Sequence, residues 1–359
     1  MKPPRVVADV DTGIDDALAL IYLAHLHKRG DIELTVTTSA GNCTAQDAAA
    51  NSAEVLRCCG VSLSTPIVPG ASTPREVELT TTPETHGPNG LGYWTAHRFA
   101  QPQAGKTPTN GGSRAPESDG DSRGVEWQDD SRWPDWDGTA RLAVEQWRKA
   151  KPNYLLVAGP ATNIAYAIEY SPEVLHGCTI VFMAGAFDYP GNTTETAEWN
   201  AWVDPHALRF ALENWPSEIE PPLMCPLNQT EKVLLYPDRL QQWQDVLGQS
   251  SQEQTPPSRN PELARMMGDA LTFYFEFHAS VGVGYCAQIH DLAAAQVMLG
   301  KVAYESDEVG VTVETEGALR GTTLKHDCED DNAPRGRVQI LESLDPEAVF
   351  SEFERAIIV

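Results

Sequence analysis

Apolar residues recur along this chain in two rhythms: short aliphatic runs of strand length, and longer segments with apolar positions at helical spacing. The first run, residues 6–10, carries Val6, Val7 and Val10 and ends in an acidic turn. From about residue 15 to 28, Leu18, Ile21, Tyr22 and Leu26 follow a helical period, and Gly30 closes the segment. A second strand is predicted over 32–39, giving a β-α-β unit whose strands run parallel with a right-handed crossover. A helix over 46–59 and a short strand over 65–68 follow. Residues 82–92, TPETHGPNGLG, hold too many turn formers for regular structure.

The rhythm stops between residues 101 and 137, where Gly, Pro, Ser and Asp dominate. That composition predicts a mobile surface insertion, although Trp127, Trp133 and Trp136 could dock part of it. Regular structure resumes with a helix over 139–149, a strand over 154–158, a turn over 159–163 and a helix to Tyr170. A strand over 179–184 leads into a long loop, 185–200, and a helix from about Asp204; a strand over 223–225 leads to Asn228. A second polar insertion is expected over 249–261. Beyond it come a helix over 262–278 carrying Phe273, Tyr274, Phe275 and Phe277, and a helix opening at Ile289-His290-Asp291 and running to Leu299. An antiparallel pair over 309–315 and 337–341 and a last helix end the chain.

This alternation predicts an α/β fold: an open, mainly parallel, doubly wound sheet forming a single domain over 1–359, with surface insertions at 101–137 and 249–261. In such sheets the ligand crevice lies outside the carboxyl ends of the strands. Polar residues gather at those ends: Asp9, Asp11, Asp15, Asp16, Asn42, Thr162, Asn163, Asn192, Glu198, Asn200 and Asn228.

Charge narrows the partners. With 26 basic and 51 acidic residues the formal net charge is -25, which argues against nucleic acid or an anionic membrane. It fits a soluble protein handling a neutral or cationic small molecule. The 7 cysteines, at spacings that match no zinc pattern, read as reduced core thiols of a cytosolic protein. The chain enters its first strand almost at once, with neither a signal-peptide core nor an apolar run of membrane-spanning length, so the cytoplasm is the default location.

The acidic turn carries the chemistry. Asp9, Asp11, Asp15 and Asp16 repel one another and are costly to bury unless a cation sits among them. Oxygen-rich sites select Ca²⁺ or Mg²⁺. Asp11 and Asp16 flank a tight turn and can face one point, with Asp291 and a carbonyl near Thr162 as distant candidates. Helix capping by Asp15 or Asp16 explains one acid and leaves the others unexplained. The closing Glu of an EF-hand is absent. A different enzyme class, the aspartyl-nucleophile phosphatases, also carries Asp-x-Asp after a first strand, but Gly13 stands where those enzymes place Thr or Val.

Several stretches together resemble one family, the nucleoside hydrolases (inosine-uridine-preferring N-ribohydrolases): DVDTGIDDALAL at 9–20, AGN at 40–42, HGPNGLG at 86–92, GPATNIA at 159–165, GN at 191–192, AEWNAWVDP at 197–205, HD at 290–291, and the tail stretch VETEGALRGTT. They fall in the family's order over nearly the whole chain. The resemblance implies Ca²⁺-dependent hydrolysis of ribonucleosides to ribose and free base, in purine or pyrimidine salvage. It implies that Asp11, Asp16 and Asp291 ligate Ca²⁺ by their side chains and Thr162 by its carbonyl, with Asp11 also the general base. Asp15, Asn42, Asn192, Glu198 and Asn200 would hold the ribose, Met183 would border it, and Asp9 would steady the turn. His290 would be the leaving-group acid and His86 a contact to the base, a pairing that looks like the family's nonspecific branch. Trp94 and Trp199 keep purine stacking open, and Tyr274 or His278 could reach the base. Family members are homodimers or homotetramers.

Elementary chemistry is consistent with those roles. Cleaving an N-glycosidic bond passes through an oxocarbenium-like ribosyl centre, which surrounding carboxylates stabilise. Vicinal hydroxyls suit carboxylates, amides and a hard cation. Outside hydrolysis, the same residues would serve a metal-dependent ribose-binding or nucleoside-binding protein without turnover.

Overall fold

The amino-terminal run forms β1 (Arg5–Val10), and its side chains are apolar on both faces because both faces are covered. Val6, Ala8 and Val10 join one hydrophobic cluster while Val7 joins another, as the alternation of a pleated strand requires. The structure, a computed structural model, describes residues 2–61, 64–97, 138–248, 260–326 and 336–358. The expected insertion over 101–137 lies outside the described residues, and so does that over 249–261 apart from Asn260 and Pro261.

In chain order β1 is followed by α1 (Ile14–Arg29), β2 (Glu33–Thr38), α2 (Ala45–Cys58), β3 (Ile67–Pro69), α3 (Pro83–His86), α4 (Gly138–Ala150), β4 (Tyr154–Val157), α5 (Thr162–Tyr170), β5 (Thr179–Met183), α6 (Trp199–Val203), α7 (Pro205–Glu213), β6 (Leu223–Cys225) and α8 (Leu227–Thr230). Then come β7 (Leu234–Leu235), α9 (Pro237–Gly248), α10 (Pro261–Ser280), β8 (Ala287–Gln288), α11 (Asp291–Met298), β9 (Tyr304–Val313), β10 (Thr323–His326), β11 (Arg337–Leu344) and α12 (Pro346–Ile358).

Among the described residues nine strands make one sheet in the order β10-β9-β11-β6-β5-β4-β1-β2-β3. Every pair from β3 to β11 is parallel, and β9 and β10 add an antiparallel edge. The order reverses beside β1: the chain winds outward through β2 and β3, then returns to place β4 on the other flank. The carboxyl ends of β1 and β4 therefore border a topological switch point, where open α/β sheets hold ligands. The expected doubly wound, mainly parallel α/β sheet is what forms.

Helices α1, α9, α10, α11 and α12 cover one face, with Leu18, Trp243 and Phe353 in its core. Helices α4, α5 and α7 cover the other, around Trp147, Tyr166 and Leu208. Helix α1 is buried on nearly every side because it packs against α2, α11 and α12 as well as the sheet. The described cysteines are buried and unbridged. Among the described residues no helix is long and apolar enough to cross a membrane.

The structure adds elements that periodicity did not predict. Helix α9 buries Leu240, Trp243 and Leu247, a spacing of three and four residues that is visible in the sequence but surrounded by polar residues. Strand β9 begins at Tyr304, five residues before the predicted start, because its first half is an exposed acidic edge with no apolar alternation to read. Strand β10, the small β7–β8 pair and the single turn α3 inside 82–92 are also additional.

The two-sided core sets one expectation for stability. Phe353 is fully buried with its ring 4.8 Å from that of Trp243. Phe353→Ala should cost about 3–5 kcal/mol, read as a lowered denaturation midpoint in urea with an unchanged slope.

Candidate active site

Asp11 is the first residue past β1, and it emerges beside the ends of β2 and β4. Its two oxygens accept from the Asn42 main-chain N–H at 2.7 Å and the Asn42 side-chain amide at 3.1 Å. The same amide donates to Asp16 Oδ2 at 3.1 Å, and the Gly13 N–H donates to that oxygen at 2.8 Å. Asn42 thus ties the strand end to the first turn of α1. The other oxygen of Asp16, Oδ1, is buried without a hydrogen-bond partner. Asp9 is also buried, accepting from Thr37 Oγ1 at 2.7 Å and Asn163 Nδ2 at 2.9 Å, as befits a residue that steadies the strand end.

Asp291 reaches the same place from the start of α11. One carboxylate oxygen each of Asp15, Asp16 and Asp291 lie within 4.8 Å of one another, an arrangement able to hold a metal ion. Burial pushes the proton affinity of these groups up. Asp15 rises to about 6; Asp16 rises to about 8, from burial first and then from the Asp15 charge. Asp11 and Asp291 are raised well above the carboxylate range by burial, then by Asp16 and by Asp15 respectively. The Asp15 and Asp291 carboxyl groups each alter the proton affinity of the other. Buried acids in contact, one with a bare oxygen, fit a hard divalent cation: its charge removes the repulsion and its coordination shell takes the unpartnered oxygen.

Next to the acids opens a cavity of about 250 Å³. Nine of the residues expected to bind sugar, metal or base or to act in catalysis line it, Asp15, Asn42, His86, Met183, Asn192, Glu198, Asn200, His290 and Asp291, and so do the further base-contact candidates Trp199, Tyr274 and His278. Asp11 and Asp16 are not on its wall and are almost fully buried. Thr162 is not on the wall either. It opens α5, its hydroxyl donates to Asp204 at 2.7 Å, and a carbonyl in the first turn of a helix points along the helix axis. Ala158, just past β4, does line the cavity, and its carbonyl accepts from Asn200 Nδ2 at 2.6 Å. Sequence alone offered only a turn with several carbonyls to choose from.

The loop after β5 is held by Glu198, which caps α6. Its carboxylate accepts from the N–H groups of Asn200 at 2.7 Å, Ala201 at 2.9 Å and Gly185 at 3.0 Å. Burial raises it to about 7 against those bonds. Glu198 lines the cavity, and its hydrogen bonds shape the turn that presents Asn200. Asn200 donates to the carbonyls of Ala158 and Met183, leaving its own Oδ1 buried and without a partner. Asn192 Oδ1 accepts from the Trp199 N–H at 2.9 Å.

Histidines and aromatics form the far end. His86 Nδ1 accepts from the Ile14 N–H at 3.1 Å, which places the proton of the neutral ring on Nε2. His290 Nδ1 is 2.9 Å from the Thr230 hydroxyl. Burial pushes both imidazoles down to about 3, with His278 adding to each shift. Tyr274 and His278 both line the cavity, their rings 4.3 Å apart. Of the two tryptophans considered for stacking, Trp199 lines the cavity, while Trp94 is buried with its Nε1 on Glu54 at 3.0 Å. Glu231 and Gln288 also line the far end, and neither was singled out from the sequence, because each stands in a polar context without a motif.

The sequence profile of the inosine-uridine preferring nucleoside hydrolases matches residues 6–351. An inosine-uridine preferring nucleoside hydrolase of Crithidia fasciculata is 25% identical over 337 residues, covering 93% of this chain and 90% of that protein. A pyrimidine-specific ribonucleoside hydrolase (RihA) of Salmonella paratyphi B is 28% identical over 320 residues, covering 87% of this chain and 85% of its own. The solved structure of a purine-preferring ribonucleoside hydrolase from Gardnerella vaginalis superposes with a TM-score of 0.71 at 22% identity, over 98% of each chain. This chain belongs to the inosine-uridine preferring nucleoside hydrolase family, whose members cleave the N-glycosidic bond of nucleosides.

The close packing of the acids is testable away from the acids themselves. A methyl group at Gly41 would collide with Asp11 Oδ2 and come within 2.8 Å of Pro160. Gly41→Ala should therefore displace Asp11 and lower kcat/KM for nucleoside hydrolysis by about tenfold or more, measured by ribose release.

Proposed function

We propose that this chain hydrolyses ribonucleosides to ribose and free base in nucleoside salvage, with Ca²⁺ held by the carboxylates of Asp11, Asp16 and Asp291 and by the carbonyl of Ala158. The observation that carries the reading is the set of buried acids Asp15, Asp16 and Asp291 within 4.8 Å beside a cavity lined by amides and carboxylates, with Asp11 joined to Asp16 through the Asn42 amide. The Ala158 carbonyl replaces that of Thr162 in this assignment because Ala158 lines the cavity.

A hard cation there supplies positive charge that favours deprotonation of water and fixes vicinal hydroxyls. The remaining chemistry belongs to the chain. Asp15, Asn42, Asn192 and the bare Oδ1 of Asn200 hold the ribose hydroxyls. Met183 borders the sugar, and Glu198 keeps the Asn200 turn rigid. Asp11, immobilised by two bonds from Asn42, accepts the proton of the attacking water. As the glycosidic bond lengthens, positive charge grows on the ribosyl ring, and the negative field of the acids favours it. The departing base is an anion in need of a proton. His290 lines the cavity with its Nδ1 fixed 2.9 Å from the Thr230 hydroxyl, and it is the group assigned to protonate the leaving base. A neutral imidazole can serve as such a donor. His86, with its proton on Nε2, contacts the base.

Incubation with inosine and with uridine should release ribose, a chelator should abolish release, and added Ca²⁺ should restore it. Asp11→Ala should lower kcat by about a hundredfold or more. Chelator-resistant turnover, or an active Asp11→Ala enzyme, would refute the metal and base assignments. Phosphate release from a phosphomonoester without ribose release would indicate the phosphatase alternative, and tight nucleoside binding without product would indicate a binding protein.

A further inference from the structure

Helix α2 contributes no residue to the cavity wall, yet it grips both the acidic turn and the loop that carries His86. Asn51 of α2 is almost fully buried. Its Nδ2 lies 3.1 Å from the Thr12 carbonyl and 2.6 Å from the Asn89 carbonyl. Both partners only accept, so the carboxamide has one possible orientation and both of its N–H bonds are spent. Thr12 stands between Asp11 and α1, and Asn89 stands three residues past His86. The Ile14 N–H donates to His86 Nδ1 at 3.1 Å, so the segments 12–14 and 86–89 close into one ring through Asn51. Ser52, the next residue of α2, holds the same turn, its hydroxyl 2.8 Å from that of Thr12. The joint has no slack: a methyl group at Gly90 would come within 2.6 Å of Asn51 Nδ2 and 3.0 Å of the Thr12 carbonyl oxygen.

We propose that Asn51 is a positioning residue for nucleoside hydrolysis: by fastening the 86–92 loop to the acidic turn, it sets the Nε2–H of His86 against the base. The inference rests on the hydrolase function proposed above and on the base contact given there to His86. Of the residues in the ring, His86 alone lines the cavity, so a shift of the ring reaches the substrate through that side chain. Without the Asn51 amide, two carbonyls lose their shared donor and the loop relaxes toward water. The Ile14–His86 bond then fixes one ring nitrogen and leaves the loop free to swing about it. Asp11 and Asp16 keep their own bonds from Asn42 and Gly13, so the acids stay in place.

The test is a double-mutant cycle on kcat/KM, by ribose release from the Ca²⁺-loaded enzyme with whichever of inosine and uridine it cleaves faster. Asn51→Ala should lower kcat/KM by about tenfold, and His86→Ala by at least as much. The double variant should be no slower than His86→Ala alone, because the Asn51 amide acts through His86. A 4-nitrophenyl β-D-ribofuranoside, whose leaving group departs as a stable anion and needs no base-side donor, should lose less than about threefold with Asn51→Ala. A substitution that merely loosens the protein slows both substrates alike. Should Asn51→Ala not fold, Asn51→Ser, which keeps a donor for one of the two carbonyls, carries the same comparison. Losses that multiply in the double variant, or equal losses on nucleoside and aryl riboside, overturn the inference while leaving the hydrolase function intact. Absence of ribose from both nucleosides with the unaltered enzyme overturns the hydrolase function and this inference with it.

Discussion

Asp15, Asp16 and Asp291 are buried with a carboxylate oxygen of each within 4.8 Å of the others, Asp11 is buried and shares the Asn42 amide with Asp16, and each of the four has its proton affinity raised by burial. Without a counter-charge such a set could stay compact only by taking up protons, which would spoil carboxylates as bases and as ligands. The fold therefore has to deliver the acids together and leave room for a cation. Strand β1 delivers Asp11, the tight turn at Gly13 delivers Asp15 and Asp16, and α11 returns from far along the chain with Asp291. Gly13 and Gly41 are small because side chains there would strike Asn42, His86 or Asp11.

Rigidity around the acids comes from bonds that run outward through the sheet. Trp147 in α4 donates to Thr37 at 2.9 Å, Thr37 donates to Asp9, and Asp9 also accepts from Asn163 at the start of α5. Elements on one face of the sheet are thereby tied to the strand that carries the acidic turn. On the other face Tyr22 of α1 donates to Glu352 of α12 at 2.9 Å, fixing the helix whose first turn supplies Asp15 and Asp16. Deep packing of α1 serves the site as much as the core.

Much of this was legible beforehand. The β1 run and the acids after it announce both the central strand and the metal site, since carboxylate crowding is a local property of sequence. The same holds for α1, whose apolar residues keep a helical period, and for the chain-wide strand–helix alternation. Helix α9 was less legible, with three apolar anchors among polar neighbours, and the acidic half of β9 gives no alternating signal because one edge faces water. The proposed main-chain ligand is invisible to composition: the Ala158 carbonyl competes with every other carbonyl in its turn, and its place on the cavity wall, which Thr162 lacks, is a matter of the fold. Glu198 reads as a sugar ligand from its neighbours, whereas its three N–H bonds are a matter of backbone geometry.

Asn42 has a consequence for how the site holds its shape. Its one amide group spans Asp11 and Asp16 at 3.1 Å from each, supplying a partial positive dipole between acids that would otherwise push the strand end away from α1. This makes Asn42 a latch that joins the end of β1 to the first turn of α1 and holds the two acids at a fixed separation.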